Sequence, residues 1–455
     1  MELKDKRVTV VGLGISGEAA AKFLHEHNAK VRVTDKSDNP QVQQDARALK
    51  DMGIECELGE HREAFLEGSE LIVVSPGVDN SALPVKWADE RGIPVISEIE
   101  LGYRFCRAPI IAVSGTNGKS TVTSLIGQMF TAGGRDVYIC GNIGVPFTSV
   151  VSMAAPEAVV VLEISSFQLE RIDTFSPHIA VMLNITQDHL DRYANFDEYA
   201  NAKLRLFSNQ KAADYAIVNY DQAKFKDLSA KSKLLYFSKR SLPKKFEGVF
   251  VENEELLVRR DGRYIWLAAK EELSLSGEHN LENALASGLA ALISGVEPNI
   301  IKETLCHFKG LSHRFELVDT INGIKFVDDS KATNVDSVKK AVQSSSKGII
   351  LIAGGRDKSS DYRILAGPLK EKVKSMLLIG EAREKIKKAL SGAVPISFAE
   401  SLEEAVKTAF GSARNGDTVL LSPMCSSFDM FRDYKERGEV FRNAVNSLKR
   451  SNKDA

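Results

Sequence analysis

The chain has 455 residues, 43% hydrophobic and 27% charged, which is globular composition and enough length for about three domains. Its 60 Lys+Arg balance 61 Asp+Glu with no long basic block, so a nucleic-acid partner is not expected. Apolar runs stay short of the ~18 residues a membrane span needs. The charged N-terminus does not read as a signal peptide, and five scattered cysteines (Cys56, Cys106, Cys140, Cys306, Cys425) without metal spacing suit a reducing, cytosolic setting.

Strand-like runs alternate with helical patterns nearly throughout, which predicts α/β units on parallel sheets. The first unit, residues 1–98, opens with a strand at Val8–Val11. A turn, Gly12-Leu13-Gly14-Ile15-Ser16-Gly17, leads into a helix, and a second strand ends at Asp35. This is the dinucleotide fingerprint. The unit is shorter than a full dinucleotide fold and a better phosphate loop follows, so a nicotinamide cofactor is disfavoured. The reading preferred is a site for the diphosphate of a nucleotide-linked substrate, with Asp35 facing base or ribose; the alternative is a purely structural turn. Strands at Leu71–Ser75, followed by Pro76-Gly77, and at Val95–Ser97 complete the unit.

The second unit, residues 99–310, starts with the apolar strand at Ile110 and the loop Gly115-Thr116-Asn117-Gly118-Lys119-Ser120-Thr121, followed by a helical pattern (Val122, Leu125, Ile126, Met129). Backbone N–H groups and the helix dipole can cradle a triphosphate there. Lys119 would neutralise its β- and γ-phosphates, and a Ser120 or Thr121 hydroxyl would hold Mg²⁺. The loop is short: Val113 stands where the usual spacing puts a glycine.

Glu163 ends the apolar run Ala158–Leu162, where a Mg²⁺ ligand belongs, and Ser165 and Gln168 keep the next turn polar. His189 follows the strand Ile179–Leu183. Lys203 lies at helical spacing from Phe196, Ala200 and Phe207, on an apolar stripe. Burying an ammonium is costly, so the lysine pairs with a carboxylate, is chemically altered, or snorkels to the stripe's edge. Residues 245–268 alternate like antiparallel strands, and a long helix runs from about Glu278 to Ile293. Its opening, His279-Asn280-x-x-Asn283, can read a purine edge or merely cap the helix.

The third unit, residues 311–455, begins with a hairpin around Asn322-Gly323. Strands follow at Ile349–Ala353, Met376–Ile379 and Thr418–Leu421, and the tail from Ser451 is expected to fray. Arg314 and Lys331 are cations that phosphate contacts would explain.

These motifs, with Asp188-His189-x-Asp191-Arg192, Asp329-Ser330-Lys331-x-Thr333-Asn334, Gly354-Gly355-x-Asp357-Lys358 and Leu421-Ser422-Pro423-x-Cys425-x-Ser427, are together similar to the Mur ligase family of peptidoglycan synthesis over essentially the whole chain. The resemblance implies three domains: a Rossmann-like N-terminal domain for the UDP-linked substrate, a P-loop-type central domain with a small antiparallel sheet for ATP and Mg²⁺, and a Rossmann-like C-terminal domain for an amino acid. The Ser422-to-Phe428 segment fits the branch adding D-glutamate.

The implied reaction is ATP-dependent. The carboxylate of UDP-N-acetylmuramoyl-L-alanine is phosphorylated, and the amine of D-glutamate displaces phosphate. As catalytic residues the resemblance implies Lys119, His189, Lys203 and Arg314. For ATP it implies Gly115, Thr116, Asn117, Gly118, Lys119, Ser120, Thr121, Asn280, Asn283, Arg314, Asp329 and Lys331. For the UDP-substrate it implies Ile15, Ser16, Asp35, Ser75, Pro76, Gly77, Asn142, Ser165 and Gln168, and for D-glutamate Thr333, Lys358, Ser427, Phe428 and Tyr434. Two Mg²⁺ sites are implied, drawing on Ser120, Glu163, His189 and Lys203 as a CO₂-derived carbamate. A cytoplasmic monomer acting on small molecules is expected.

Overall fold

The computed structural model describes residues 1–226, 228–275 and 277–451, so the expected frayed tail beyond Ser451 lies outside the described residues. The chain forms two compact units. The first comprises Met1–Ile185, Asp197–Ser274 and Asn280–Phe308; the second comprises Thr186–Phe196, Leu275–His279 and the stretch from Lys309.

The first unit holds two sheets. In one, β1 (Arg7–Val11), β2 (Lys30–Asp35), β3 (Glu55–Leu58), β4 (Leu71–Val74) and β5 (Val95–Ser97) are parallel in the order β3-β2-β1-β4-β5. The order reverses between β1 and β4, so ligands are expected outside the carboxyl ends of those strands. There the chain places the glycine turn after β1 and Ser75-Pro76-Gly77 after β4.

The other sheet has nine strands: β6 (Ile110–Ser114), β7 (Val137–Gly141), β8 (Val159–Glu163), β9 (Ile179–Met182), β10 (Tyr215–Asn219), β11 (Lys233–Ser238), β12 (Gly248–Glu252), β13 (Glu255–Arg260) and β14 (Arg263–Ala269). Their order is β14-β13-β12-β11-β10-β9-β6-β8-β7. From β7 to β12 neighbours run parallel, and β12–β14 form an antiparallel meander. The expected antiparallel strands therefore extend the edge of the central sheet through the β11–β12 pairing, because Tyr236–Ser238 offer a free strand edge to Gly248–Phe250. β6 is entirely buried, and the helix Lys119–Ala132 that follows is buried along most of its length.

In the second unit β15 (Glu316–Ile321), β16 (Ile324–Asp328), β17 (Ile349–Gly354), β18 (Val373–Ile379), β19 (Ile396–Phe398) and β20 (Thr418–Leu421) take the order β15-β16-β20-β17-β18-β19. The β15–β16 hairpin turns at Asn322-Gly323, both with positive φ (51° and 74°), as a two-residue turn between twisted strands requires. The parallel strands are covered on both faces. Ile349, Leu351 and Ala353 enter one apolar cluster and Ile350 and Ile352 the other.

A buried carboxylate ties the helix that follows β5 to the segment before β9. Glu100, on the helix Glu98–Tyr103, accepts hydrogen bonds from the backbone N–H groups of Asp173 (2.9 Å), Thr174 (3.0 Å) and Phe175 (2.9 Å), from Thr174 Oγ1 (2.6 Å) and from Arg104 Nε (2.7 Å). Glu100→Ala leaves these donors without their acceptor, the Phe175 N–H among them in a buried residue, and chemical denaturation should show a loss of about 1–3 kcal/mol. A loss under about 1 kcal/mol would mean that water replaces the carboxylate.

Candidate active site

In the first sheet the glycine turn is held by its neighbours. Asp35 Oδ2 accepts from Leu13 N (2.5 Å), its Oδ1 accepts from Ser37 N (2.7 Å), and Ser75 Oγ donates to the Gly12 carbonyl (2.7 Å). A methyl at Gly17 would overlap the Gly12 carbonyl oxygen, so the helix starts tight against the strand end. Asp35 and Ser75 thus order the loop, while Ile15 stands 76% exposed at the helix start beside Ser16. Ser165 and Gln168 form a capping box at the helix Ser166–Leu169.

The phosphate loop leaves β6 with Gly118 in the left-handed region (φ 88°). A side chain there would overlap Asn283 Oδ1, so Asn283 closes on the loop; its Nδ2 donates to Asn280 Oδ1 (3.3 Å). Lys119 Nζ bonds the carbonyls of Gly115 (2.9 Å) and Thr116 (3.0 Å), and Thr116 Oγ1 meets the Tyr199 hydroxyl (3.1 Å). Ser120 and Thr121 lie in the buried first turn of the helix, at the positive end of its dipole.

Two further expected groups lie in this unit. The register pairs Val113 with Glu163, setting that carboxylate beside the loop's entry. Glu163 Oε1 accepts from Asn142 Nδ2 (2.7 Å), while Oε2 is buried with no hydrogen-bond partner. An orphaned carboxylate oxygen beside a phosphate loop fits a hard divalent cation. Lys203 is 2% exposed, and its Nζ turns inward, 2.9 Å from the Gly115 carbonyl that Lys119 also uses. That decides against the snorkelling alternative.

The other expected residues belong to the second unit. His189 sits on Thr186–Phe196, which packs there because Asp188 Oδ2 accepts from Asn334 Nδ2 (3.0 Å) and Asp188 Oδ1 lies 3.8 Å from Lys358 Nζ. Burial raises the Asp188 pKa, but Lys358, His189 and Asn334 outweigh it and hold the carboxyl below its ordinary value. Lys331 Nζ stacks 4.0 Å from the Tyr434 ring centre. Thr333 follows in the same turn, Ser427 is buried, and Phe428 is exposed.

Beside Arg314, His313 Nδ1 bonds Asp328 Oδ2 (2.7 Å) and Glu316 meets Arg442 (3.0 Å). These three groups could converge on a metal geometrically. The guanidinium on Glu316 makes the cluster a structural ion-pair network instead. Asp329 is tied at both ends, Oδ1 to Phe315 N (3.2 Å) and Oδ2 to Ser422 Oγ (2.8 Å).

Sequence reasoning passed over two supports of this unit. Arg437 is fully buried and donates to the carbonyls of Ser330 (2.8 Å) and Cys425 (3.3 Å), joining two motif loops. Burial lowers it to about 10. The Tyr362 hydroxyl donates to Asp357 Oδ1 (2.6 Å) and lies 3.3 Å from Cys425 Sγ. Neither carries a sequence signal beyond an ordinary helix-face arginine and a core tyrosine.

Family models match three consecutive stretches: the Mur ligase MurD-like N-terminal domain over residues 6–97, the Mur ligase middle domain over 113–291, and the Mur ligase glutamate ligase domain over 313–425. The UDP-N-acetylmuramoylalanine--D-glutamate ligase of Thermoanaerobacter sp. (strain X514) is 45% identical over 456 residues, covering 99% of this chain and 100% of the relative. The protein of the same name from Geotalea uraniireducens (strain Rf4) is 44% identical over 449 residues, covering 98% and 99%. Among solved structures, the MurF ligase of Thermotoga maritima in complex with ADP has a TM-score of 0.62 at 15% identity, covering 98% of this chain and 100% of that one.

Burial pushes Asp329 up from 3.8 to about 7 against the bonds from Ser422 and Phe315. A raised acid binds its proton more tightly when folded, so its contribution to stability falls as pH rises from about 3.8 to about 7 and is flat above. Asp329→Asn should remove that slope. Between pH values of about 5 and about 8 the wild type should lose stability relative to the variant in chemical denaturation; parallel curves would show the carboxyl ionised throughout.

Proposed function

The chain belongs to the Mur ligase family, and we propose that within it this enzyme joins D-glutamate to UDP-N-acetylmuramoyl-L-alanine at the expense of ATP. The observation that carries the chemistry is the convergence of two lysine side-chain nitrogens, of Lys119 and Lys203, on the Gly115 carbonyl of a phosphate loop whose entry is paired with a half-bonded buried carboxylate. The substrate carboxylate attacks the γ-phosphorus and the bond to ADP breaks. The D-glutamate amine then adds to the acyl phosphate, loses a proton, and the tetrahedral intermediate expels phosphate. Carboxylate and triphosphate repel, so cationic groups must offset their charge.

In this reading residues 1–98 bind the UDP-substrate through Ile15, Ser16, Asp35, Ser75, Pro76 and Gly77, joined by Asn142, Ser165 and Gln168. Residues 99–310 bind ATP through Gly115–Thr121, Asn280 and Asn283. Residues 311–455 supply Thr333, Lys358, Ser427, Phe428 and Tyr434 for D-glutamate, and Arg314, Asp329 and Lys331 for the nucleotide. Ser120 and Glu163 Oε2 would hold Mg²⁺, which when bound polarises the phosphoryl oxygens. His189 is a ligand candidate for a second ion. We place the enzyme in the cytoplasm as a monomer; no described helix is long and apolar enough to cross a membrane.

Two charged ammonium groups sharing one carbonyl repel each other. Carbamylation of Lys203 relieves this and creates an oxygen ligand for Mg²⁺, which an ammonium cannot be. Enzyme supplied with carbon-13 bicarbonate should show a carbamate resonance that Lys203→Ala lacks, and the variant should lose nearly all turnover while still binding ATP. Active, bicarbonate-replete enzyme without that signal would return Lys203 to a structural role.

Phosphate release from ATP with UDP-N-acetylmuramoyl-L-alanine should require D-glutamate. A pocket that pairs both carboxylates of one enantiomer leaves groups unpaired with the other, so L-glutamate should be a poor substrate. Equal rates with both enantiomers would overturn the assignment.

A further inference from the structure

We infer that Asn184 is the positioning residue of the phosphate loop, standing in for the backbone that this short loop lacks. The inference rests on the reading of that loop as the ATP site. β6 pairs with β9 up to Ser114↔Met182, and the Leu183 N–H continues the ladder to the Ser114 carbonyl (3.0 Å). Beyond that point β6 has become loop. The Thr116 N–H next bonds the Asn184 carbonyl (2.9 Å). The Asn184 carboxamide then does what a neighbouring strand would do for Asn117: Oδ1 accepts from Asn117 N (2.9 Å), and Nδ2 donates to the Asn117 carbonyl (3.0 Å). A primary amide carries a donor and an acceptor in one plane, as a peptide does, which no carboxylate or hydroxyl of this size reproduces.

The need for this support follows from the loop. Val113, at the position of the usual first glycine, is part of the buried β6, leaving four residues between Ser114 and Lys119. Gly115 lies close to the strand end: a side-chain carbon there would be 3.0 Å from Leu183 Cβ and 3.3 Å from Asn184 N. Asn184 is 5% exposed, so its two side-chain bonds are made away from bulk water. With both polar groups of Asn117 fixed, the peptide planes before the left-handed Gly118 are set, and with them the direction of the N–H groups in the first turn of the helix Lys119–Ala132. Asn184 acts on ATP only through this orientation.

The experiment compares wild type with Asn184→Ala and Asn184→Asp, measuring kcat, the KM of each of the three substrates, binding of a non-hydrolysable ATP analogue, and thermal stability. Losing two buried hydrogen bonds that orient the loop should raise the ATP KM and weaken analogue binding by about tenfold or more in Asn184→Ala. The KM values of UDP-N-acetylmuramoyl-L-alanine and D-glutamate should stay within about twofold, because those groups are bound elsewhere. Asn184→Asp keeps the acceptor but turns an oxygen toward the Asn117 carbonyl, and should be at least as impaired for ATP.

A folded Asn184→Ala with unchanged analogue affinity overturns the inference, as does a variant whose only defect is lower thermal stability or a uniform fall in kcat. If Asn184→Ala does not fold, the same two outcomes are read from Asn184→Asp. The analogue measurement does not depend on turnover. A wild type that binds nucleotide but releases no phosphate with D-glutamate would refute the proposed reaction and leave the role of Asn184 standing.

Discussion

The candidate site of the first unit depends on the register of three parallel strands. β6 lies between β8 and β9, with Val113 opposite both Glu163 and Val181. That alignment puts the end of β8, the start of the phosphate loop and the residues after β9 at one level of the sheet's carboxyl edge. Side chains alternate with a period of two, so a slip of one residue in β8 would turn Glu163 to the opposite face. The continuous burial of β6 and β8 and the apolar run of β9 resist such a slip.

Where one signal dominated, the sequence was legible. The strands flanking glycine turns, the Asn322-Gly323 hairpin and the helix Glu278–Ile293 lie where their patterns predict. Other strands were missed for physical reasons. β3 (Glu-Cys-Glu-Leu) is a charged edge strand, β19 is an edge strand of only three residues, and β7, β10 and β11 are apolar runs of four, which periodicity alone does not separate from a turn of buried helix. The buried stripe carrying Lys203 was visible in helical spacing, but its partner, a loop carbonyl from distant sequence, was not. Asn184 likewise reads as an ordinary residue after a strand, because its two side-chain bonds go to backbone that no pattern reveals.

In the second unit, polar groups are buried where loops meet. Asp329 bridges the turn after His313 to the segment after β20, Arg437 bridges Ser330 to Cys425, and Tyr362 reaches from Asp357 to Cys425. Such contacts cost desolvation: Arg437 Nε and Asp429 Oδ1 are buried without hydrogen-bond partners. Burial raises the Cys425 thiol to about 11, so it acts as packing and as a bonding partner, not as a nucleophile. The return on this cost is rigidity, since the loops bearing Lys331, Lys358 and Ser427 are cross-braced through side chains instead of strand ladders.

The strand order also has a kinetic side. The meander β12–β14 is made of sequence neighbours joined by tight turns, whereas β6 waits for β8 and β9, which arrive much later along the chain. Pairings between distant segments carry the larger loop-closure cost and form late. On this ground the phosphate loop is expected to take shape late, although it is made from one of the unit's earlier segments. A ligand held by a loop that forms late recognises the completed sheet alone, and should retard unfolding without accelerating folding.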